Sequence, residues 1–221
     1  MVEPLPRRLL AEFLGSAFLA AVVVGSGIAA QRLSRDAGLQ LLENAAATAA
    51  GLFAIILMFG PVSGGHFNPV VSLVDAAFGG LDRRHALAYI PTQVAGCIAG
   101  AIAANGMFAL DAVSVSSHHR ASAAHAFAEV IATFGLVLLI FALARTRRGA
   151  MAPAAVGAYI GAAYWFTSST SFANPAITVG RVFSDTFAGI APASVPAFVV
   201  AQLAGALLAY FAIRALYPEV T

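Results

Sequence analysis

Long apolar segments alternate with short polar connections along the whole chain. Six of these segments approach or exceed the length of a membrane span, at about 9–31, 41–61, 86–110, 123–144, 151–169 and 194–216. A helix needs about 20 apolar residues to cross the hydrocarbon core of a bilayer. The pattern therefore predicts an all-α membrane protein whose six transmembrane helices form one domain over residues 1–221.

Two shorter apolar stretches follow the second and the fifth segment, at about 68–78 and 174–183. At about 10 residues each, they are too short to cross a bilayer and long enough to reach its midplane. They predict two re-entrant half-helices.

The two halves of the chain repeat each other in sequence. AEFLGSAF corresponds to AEVIATFG, HFNPVVS to SFANPAITV, and TQVAGCIAGA to AQLAGALLA. Repeat 1 covers about 9–110 and repeat 2 about 123–216. Each repeat contains an odd number of spans, so the two copies insert with opposite topology. Inverted repeats with interrupted helices place a functional site at the midplane, where the halves meet.

Composition supports a membrane location. Hydrophobic residues make up 60% of the chain and charged residues 10%, whereas a soluble domain has about 25% charged residues. All twelve basic residues are Arg and the net charge is +2. No basic patch carries interleaved aromatic residues, so no nucleic-acid partner is expected. The first segment follows Arg7 and Arg8 as in a signal peptide, but it exceeds the usual 7–15 apolar residues and predicts a retained helix.

The arginines also predict the orientation of the chain. Eight lie on the side of the two termini, at positions 7, 8, 83, 84, 145, 147, 148 and 214, and four lie on the opposite side, at positions 32, 35, 120 and 181. Because cytoplasmic loops carry the excess of basic residues, both termini are expected in the cytoplasm.

Both short segments begin with Asn-Pro, at Asn68-Pro69 and Asn174-Pro175. Proline suits the first helical position, and Asn is a favoured N-cap whose amide can also donate into a cavity. Each half-helix then starts at the midplane with its positive dipole end facing the lumen. Two such ends repel cations, while neutral solutes accept hydrogen bonds from the amides. The pattern predicts a channel for small uncharged solutes.

SGGHFNPVVS and SFANPAITVGR resemble the two signature loops of the aquaporin, or major intrinsic protein, family. The resemblance implies six helices with two half-helices, a homotetramer with one pore per protomer, and no cofactor or metal. It implies a pore centre formed around the two motifs, at Asn68, Pro69, Val70, Asn174, Pro175 and Ala176.

Glu12 and Glu129 occupy equivalent positions inside predicted spans, where carboxylates are costly. A proton relay is one interpretation. The resemblance favours another, in which each carboxylate braces a re-entrant loop by accepting its N–H groups. His66, just before the first motif, is expected to pack in that loop or line the pore, and no second ligand at metal-binding spacing accompanies it.

Counting from the two Asn residues by the spacing of the family gives four filter positions, Thr48, Ala162, Ser171 and Ile177. Ile177 stands where the family usually has Arg, and Val70 stands in an alanine position. No aromatic residue, His or Arg occupies the inferred filter, which is therefore expected to be wide and to lack a fixed charge.

Arg181 lies four residues after Ile177, on the same face of a helix. One interpretation is a cation in the outer vestibule of the pore. The favoured alternative is an ion pair with Asp185, a further four residues along the chain.

The second loop, NPAITVGRVFSDTFAGIAP, resembles a bacterial branch associated with arsenic resistance. That resemblance implies a bacterial inner-membrane channel for metalloid hydroxides such as arsenous acid, together with glycerol, water or both. Reasoning from the residues alone gives only a small neutral polar solute.

Two alternatives stay open from the sequence. Within the family, the chain could be a plain water or glycerol channel. A secondary transporter also has inverted repeats and broken helices, although only Glu12 and Glu129 could serve as its intramembrane coupling groups. No nucleophile with a base and an orienting group appears, so an enzyme is not expected.

Overall fold

The computed structural model describes residues 3–218, and this part of the chain contains helices and no β-strand. Eight α-helices follow one another: α1 Leu5–Leu33, α2 Ala37–Ser63, α3 Pro69–Ala77, α4 Arg83–Met107, α5 Ala123–Arg145, α6 Ala152–Phe166, α7 Pro175–Gly180 and α8 Val195–Leu216. Short 3₁₀ turns lie at Gly149–Met151, Arg181–Phe183 and Pro192–Ser194. The ends of the predicted domain, residues 1–2 and 219–221, lie outside the described residues.

The predicted fold class is confirmed. Helices α1, α2, α4, α5, α6 and α8 correspond to the six predicted spans, and α3 and α7 correspond to the two half-helices. By length and composition, five described segments could cross a membrane. The sixth span, α6, has only 15 residues, because it is preceded by a 3₁₀ turn and ends at the extended residue Thr167.

Polar side chains fix where several helices begin. The Asp36 carboxylate accepts the Leu39 N–H at the start of α2, and Ser122 accepts the His125 N–H at the start of α5. Asp82 does the same for α4, where its carboxylate accepts the Arg84 N–H at 2.7 Å. That backbone hydrogen bond lowers the pKa of Asp82 below its ordinary value. Each cap satisfies an N–H group that the helix itself leaves without a partner.

The inverted repeat appears in how the helices cross. In the first repeat, α4 packs closely on α1 with Gly96 against the Phe13 carbonyl oxygen. In the second, α8 packs on α5 with Gly205 against the Val130 carbonyl oxygen. A Cβ atom at either glycine would overlap that oxygen, so glycine is what lets the helix backbones approach. Small residues at helix crossings are typical of membrane proteins.

The surface and the interior have reversed polarity relative to a soluble protein. Large apolar side chains are exposed around the bundle, among them Phe18, Leu57, Phe127, Trp165 and Leu207. Several polar side chains are fully buried instead. A bilayer solvates such an outer surface, while the interior must satisfy its own polar groups.

We call the side where α1 begins and α8 ends the terminal face, and the opposite side the distal face. Because α3 follows the end of α2, it returns from the middle of the bundle toward the terminal face. Helix α7 follows the end of α6 and returns toward the distal face. The two half-helices therefore begin back to back in the centre of the molecule.

Candidate functional site

The backbone just before each half-helix is held in an uncommon conformation. Phe67 and Ala173 have φ values of +48° in both cases, in the left-handed region that residues other than glycine rarely adopt. The Phe67 N–H donates to the Glu12 carboxylate at 2.7 Å, and the Ala173 N–H donates to the Glu129 carboxylate at 2.8 Å. Each loop thus turns its N–H groups toward a buried carboxylate and its carbonyl toward the other loop.

Both intramembrane glutamates are fully engaged with these loops. Glu12 also accepts from Ser63 Oγ at 2.6 Å and from the His66 N–H at 3.0 Å. Glu129 also accepts from the Phe172 N–H at 2.9 Å. Neither side chain has exposed surface. These are the contacts that loop bracing requires, and they leave little capacity for the proton relay or ion coupling of a transporter.

The two predicted Asn side chains meet at the centre and exchange hydrogen bonds between the loops. Asn68 Nδ2 donates to the Ala173 carbonyl at 2.8 Å, and Asn174 Nδ2 donates to the Phe67 carbonyl at 2.7 Å. Their Oδ1 atoms cap the half-helices by accepting the N–H groups of Val70 and Ala176. Each amide nitrogen keeps a second N–H, and both Asn residues line the central cavity.

A second set of polar residues supports this centre, and sequence reasoning did not assign it a role. Gln93 Nε2 donates to Glu12 at 2.7 Å and to Ser72 Oγ at 3.0 Å. In the other repeat, Gln202 Nε2 donates to Glu129 at 2.7 Å and to Thr178 Oγ1 at 2.9 Å. The hydroxyl of Thr178 donates in turn to the Asn174 carbonyl. The matching positions of the two glutamines in the repeats were the available signal.

One cavity of about 250 Å³ passes the two Asn side chains and extends toward both faces. Asp75, Ala144 and Ala152 line its part near the terminal face. Tyr164 and Arg181 line its part near the distal face. Its remaining walls are mostly apolar, with contributions from Leu19, Val23, Leu52, Ile56, Leu136, Ile140, Val156 and Ile160.

The structure separates the residues predicted around the two motifs. Asn68 and Asn174 line the cavity, whereas Pro69, Pro175, Val70 and Ala176 do not. The prolines occupy the first position of their half-helices. The side chain of Val70 packs in a buried apolar cluster with residues of α5 and α8, and Ala176 is also buried in the core. Of the predicted pore-centre residues, these four thus begin the half-helices beside the two Asn residues but do not themselves line the cavity.

Three of the four predicted filter residues, Thr48, Ser171 and Ile177, line the cavity. Ala162 was wrong, because it lies on the exposed outer face of α6. On that helix the cavity is lined by Val156, Ile160 and Tyr164, at spacings of four residues. The Tyr164 hydroxyl lies 3.2 Å from Thr48 Oγ1. The prediction that the filter region has no aromatic residue was therefore wrong, because Tyr164 lines the cavity there.

The predicted ion pair between Arg181 and Asp185 does not form. Asp185 accepts hydrogen bonds from the N–H and the hydroxyl of Ser117, at 2.9 and 3.1 Å. That backbone hydrogen bond is the main reason why the pKa of Asp185 is lowered. Helix α7 ends at Gly180 and Ser184 is extended, so the helical spacing on which the pairing relied is interrupted.

Arg181 instead lines the cavity while only 2% of its surface is exposed. Its Nε donates to the Ala188 carbonyl, and its guanidinium carbon lies 3.4 Å from the centre of the Phe172 ring. Arg120 lies on the same ring at 5.4 Å and donates to the Gly189 carbonyl. The expectation that the region has no fixed charge was therefore wrong, since a cation adjoins the lumen just beyond Ile177.

His66 also lines the cavity, on the terminal side of Asn68. Its Nδ1 lies 3.0 Å from Ser72 Oγ, and its Nε2 lies 3.4 Å from the Asp75 carboxylate. Within residues 3–218, no group of three or more His, Cys, Asp or Glu side chains could hold a metal ion.

A helical bundle with an apolar surface, and with a cavity that passes the starts of two back-to-back half-helices, is the architecture of a membrane channel. The major intrinsic protein family model matches residues 3–173, which include the first Asn-Pro motif and end just before the second. The chain belongs to this family. It is therefore an integral membrane protein and a passive channel for small solutes, and it is not an enzyme.

Individual relatives agree with this assignment. The chain is 50% identical over 210 residues to Aquaglyceroporin AqpS of Rhizobium meliloti (strain 1021), covering 95% of this chain and 90% of that protein. It is 30% identical to Aquaporin TIP1-1 of Arabidopsis thaliana, covering 79% of this chain and 74% of that protein. The crystal structure of the aquaglyceroporin from Plasmodium falciparum has the same fold, with a TM-score of 0.73, 20% identity and 96% coverage of both chains.

Proposed function

We propose that this chain conducts uncharged polar solutes larger than water, namely metalloid hydroxides such as arsenous acid, together with glycerol and water. The observation that carries the proposal is Ile177, which lines the cavity one turn into the second half-helix. An Arg side chain at this position would fill the lumen and supply a rigid fork of donors. Ile supplies neither, so solutes wider than water meet less obstruction.

The chemistry around Ile177 suits a solute with hydroxyl groups. Thr48, Tyr164 and Ser171 all line the cavity, whose other walls are mostly apolar, and the hydroxyls of Thr48 and Tyr164 lie 3.2 Å apart. The Ser171 hydroxyl is buried and has no hydrogen-bond partner among the described residues. Polyols and arsenous acid both present several hydroxyls that donate and accept hydrogen bonds. The relative AqpS, which is half identical, is itself named an aquaglyceroporin.

The two Asn caps support the exclusion of cations. Both half-helices begin at the centre, so two positive dipole ends face the same short stretch of lumen. A neutral solute accepts hydrogen bonds from the free N–H groups of Asn68 and Asn174 there. We further propose a homotetramer in the bacterial inner membrane, with both termini in the cytoplasm.

Replacement of Ile177 by Arg tests this function. In Ile177→Arg, flux of glycerol and arsenous acid should fall by about tenfold or more, while water flux should fall only slightly. The added guanidinium narrows the lumen beside Arg181, and a smaller solute still passes. Stopped-flow measurements on the same proteoliposomes, normalised to inserted protein, give the three fluxes in parallel.

Ile177→Leu is the matched control, because it conserves volume and adds no charge. It should retain all three fluxes. An equal loss of every flux in Ile177→Arg would indicate general occlusion or misfolding. Unchanged glycerol and arsenous acid fluxes would show that Ile177 does not set the width of the pore, and the proposed solute range would be wrong.

A further inference from the structure

Opposite charges occupy equivalent positions after the two Asn-Pro motifs. Asp75 lies seven residues after Asn68, and Arg181 lies seven residues after Asn174. Both side chains line the cavity, Asp75 on its terminal side and Arg181 on its distal side. Apart from His66, they are the only ionisable Asp, Glu, His or Arg residues among the described residues that line it.

Both charged side chains have neighbours that can be named. The Asp75 carboxylate packs over Gly80, where a Cβ atom would collide with it, and it lies 3.4 Å from His66 Nε2. Arg181 is buried against the Phe172 ring and donates to the Ala188 carbonyl. No salt bridge neutralises Arg181 in the part of the chain that the structure describes, and Arg120 on the same ring adds a second cation nearby.

The charges along the lumen therefore change sign from one end to the other. Arg181 and the two half-helix N-termini are positive at the distal end and the centre, and Asp75 is negative at the terminal end. Such charges act strongly in a narrow lumen with low-dielectric walls. A cation is repelled at the distal end and the centre, whereas an anion that those groups attract is repelled by Asp75.

We infer that Asp75 is the anion barrier of this channel, which opposes the attraction of Arg181 and the half-helix termini. This inference rests on the proposed function, because it takes the cavity to be the path of neutral solutes. It assigns a selectivity role to a residue outside the filter, on the opposite side of the Asn pair. Without Asp75, every charged group and dipole along the lumen would favour anions.

Removing the charges of Asp75 and Arg181, singly and together, tests the inference. Wild type, Asp75→Asn, Arg181→Met and the double variant are reconstituted in proteoliposomes, and nitrate and glycerol fluxes are measured on the same preparations. Asp75→Asn should raise nitrate flux by about tenfold or more, since one opposing charge is removed. Adding Arg181→Met should return nitrate flux toward the wild-type value. Glycerol flux should persist in Asp75→Asn.

Asp82→Asn is the matched control, because Asp82 is an exposed carboxylate at the same face that does not line the cavity. It should leave nitrate flux unchanged. Unchanged nitrate flux in Asp75→Asn, with normal glycerol flux, would overturn the inference. So would a nitrate leak that persists in the double variant or that Asp82→Asn reproduces. Absence of glycerol flux in the wild type would instead overturn the proposed function.

Discussion

At the scale of single residues, Ser171 combines an uncommon backbone with an unsatisfied side chain. Its φ of +51° belongs to the left-handed region, and its buried hydroxyl has no hydrogen-bond partner within residues 3–218. A buried hydroxyl without a partner is costly. Ser171 lines the same cavity as Ile177. A substitution at Ser171 can therefore test whether this position lies on the conducting path.

Replacement of Ser171 by Cys should make the channel sensitive to mercurials. A thiol at this position lies at the lumen, so a bound mercury ion should block most of the solute flux, and a reducing thiol should restore it. The wild type should resist block, because Cys97 is fully buried with its sulfur against the Ser16 carbonyl. Glycerol flux into proteoliposomes before and after mercurial treatment measures the effect.

Ser168→Cys is the control for labelling, since Ser168 is exposed near the distal face and does not line the cavity. Its thiol should react without loss of flux. Full labelling of Ser171→Cys with unchanged flux would place Ser171 outside the conducting path.

At the scale of secondary-structure elements, the sequence predicted which helices and half-helices exist better than it predicted their lengths. Apolar stretches after the second and fifth segments correctly predicted two half-helices, since Asn-Pro is a strong local start signal. The second was expected over 174–183, but α7 ends at Gly180 and a 3₁₀ turn follows. At that end Gly180 packs closely against Cys97 of α4, a tertiary contact that local patterns do not reveal. The incorrect prediction of an ion pair between Arg181 and Asp185 followed from assuming that the second half-helix is longer than it is.

The incorrect placement of Ala162 has a similar origin. Counting without gaps assumes that connections have equal length, whereas the direction of a side chain on α6 depends on helix rotation. Tyr164 lies on the cavity side and Ala162 faces outward. Contacts within the motifs were more accessible to sequence reasoning, because Glu12 and Glu129 occupy equivalent places in two visible repeats.

The crossing of α5 and α8 at Gly205 gives a prediction at this scale. A Cβ atom at Gly205 would overlap the Val130 carbonyl oxygen and press on Thr133. Gly205→Ala should therefore destabilise the protein by about 1–3 kcal/mol, the usual range for overpacking. Thermal unfolding in detergent measures it as a lower Tm.

Gly106→Ala near the end of α4 is the matched control, since no neighbouring atom in the described part of the chain lies within 4 Å of an added Cβ there. It should leave Tm unchanged or raise it, because Ala favours a helix more than Gly does. Equal Tm values for the two variants would mean that α5 and α8 are not held together by close backbone contact.

At the scale of the whole molecule, the inverted repeat explains why the sequence predicted the architecture. Two copies of one motif must insert in opposite directions when each has three spans, so their polar centres meet. The two polar centres meet in the structure, where Asn68 and Asn174 each donate a hydrogen bond to a carbonyl of the other loop. The repeat does not, however, predict which face of the protein lies on the cytoplasmic side of the membrane.

The distribution of arginine predicts that direction. The terminal face carries eight of the twelve arginines, including Arg83 and Arg84 at the start of α4, Arg145 at the end of α5, and Arg147 and Arg148 just after it. Basic residues in short loops are retained in the cytoplasm during insertion. We therefore expect the terminal face, and with it Asp75, to open to the cytoplasm. Arg181 would then lie at the outer mouth.

Reporter fusions in bacteria test this orientation. Alkaline phosphatase, which is active only outside the cytoplasm, should be active when fused after Arg120 and inactive when fused after Arg148. Green fluorescent protein should give the reverse pattern. The two fusion points lie on opposite faces and are separated by the single span α5, so each serves as the control for the other. Active phosphatase after Arg148 with inactive phosphatase after Arg120 would mean that the chain inserts in the opposite direction, with Asp75 at the outer mouth and Arg181 facing the cytoplasm.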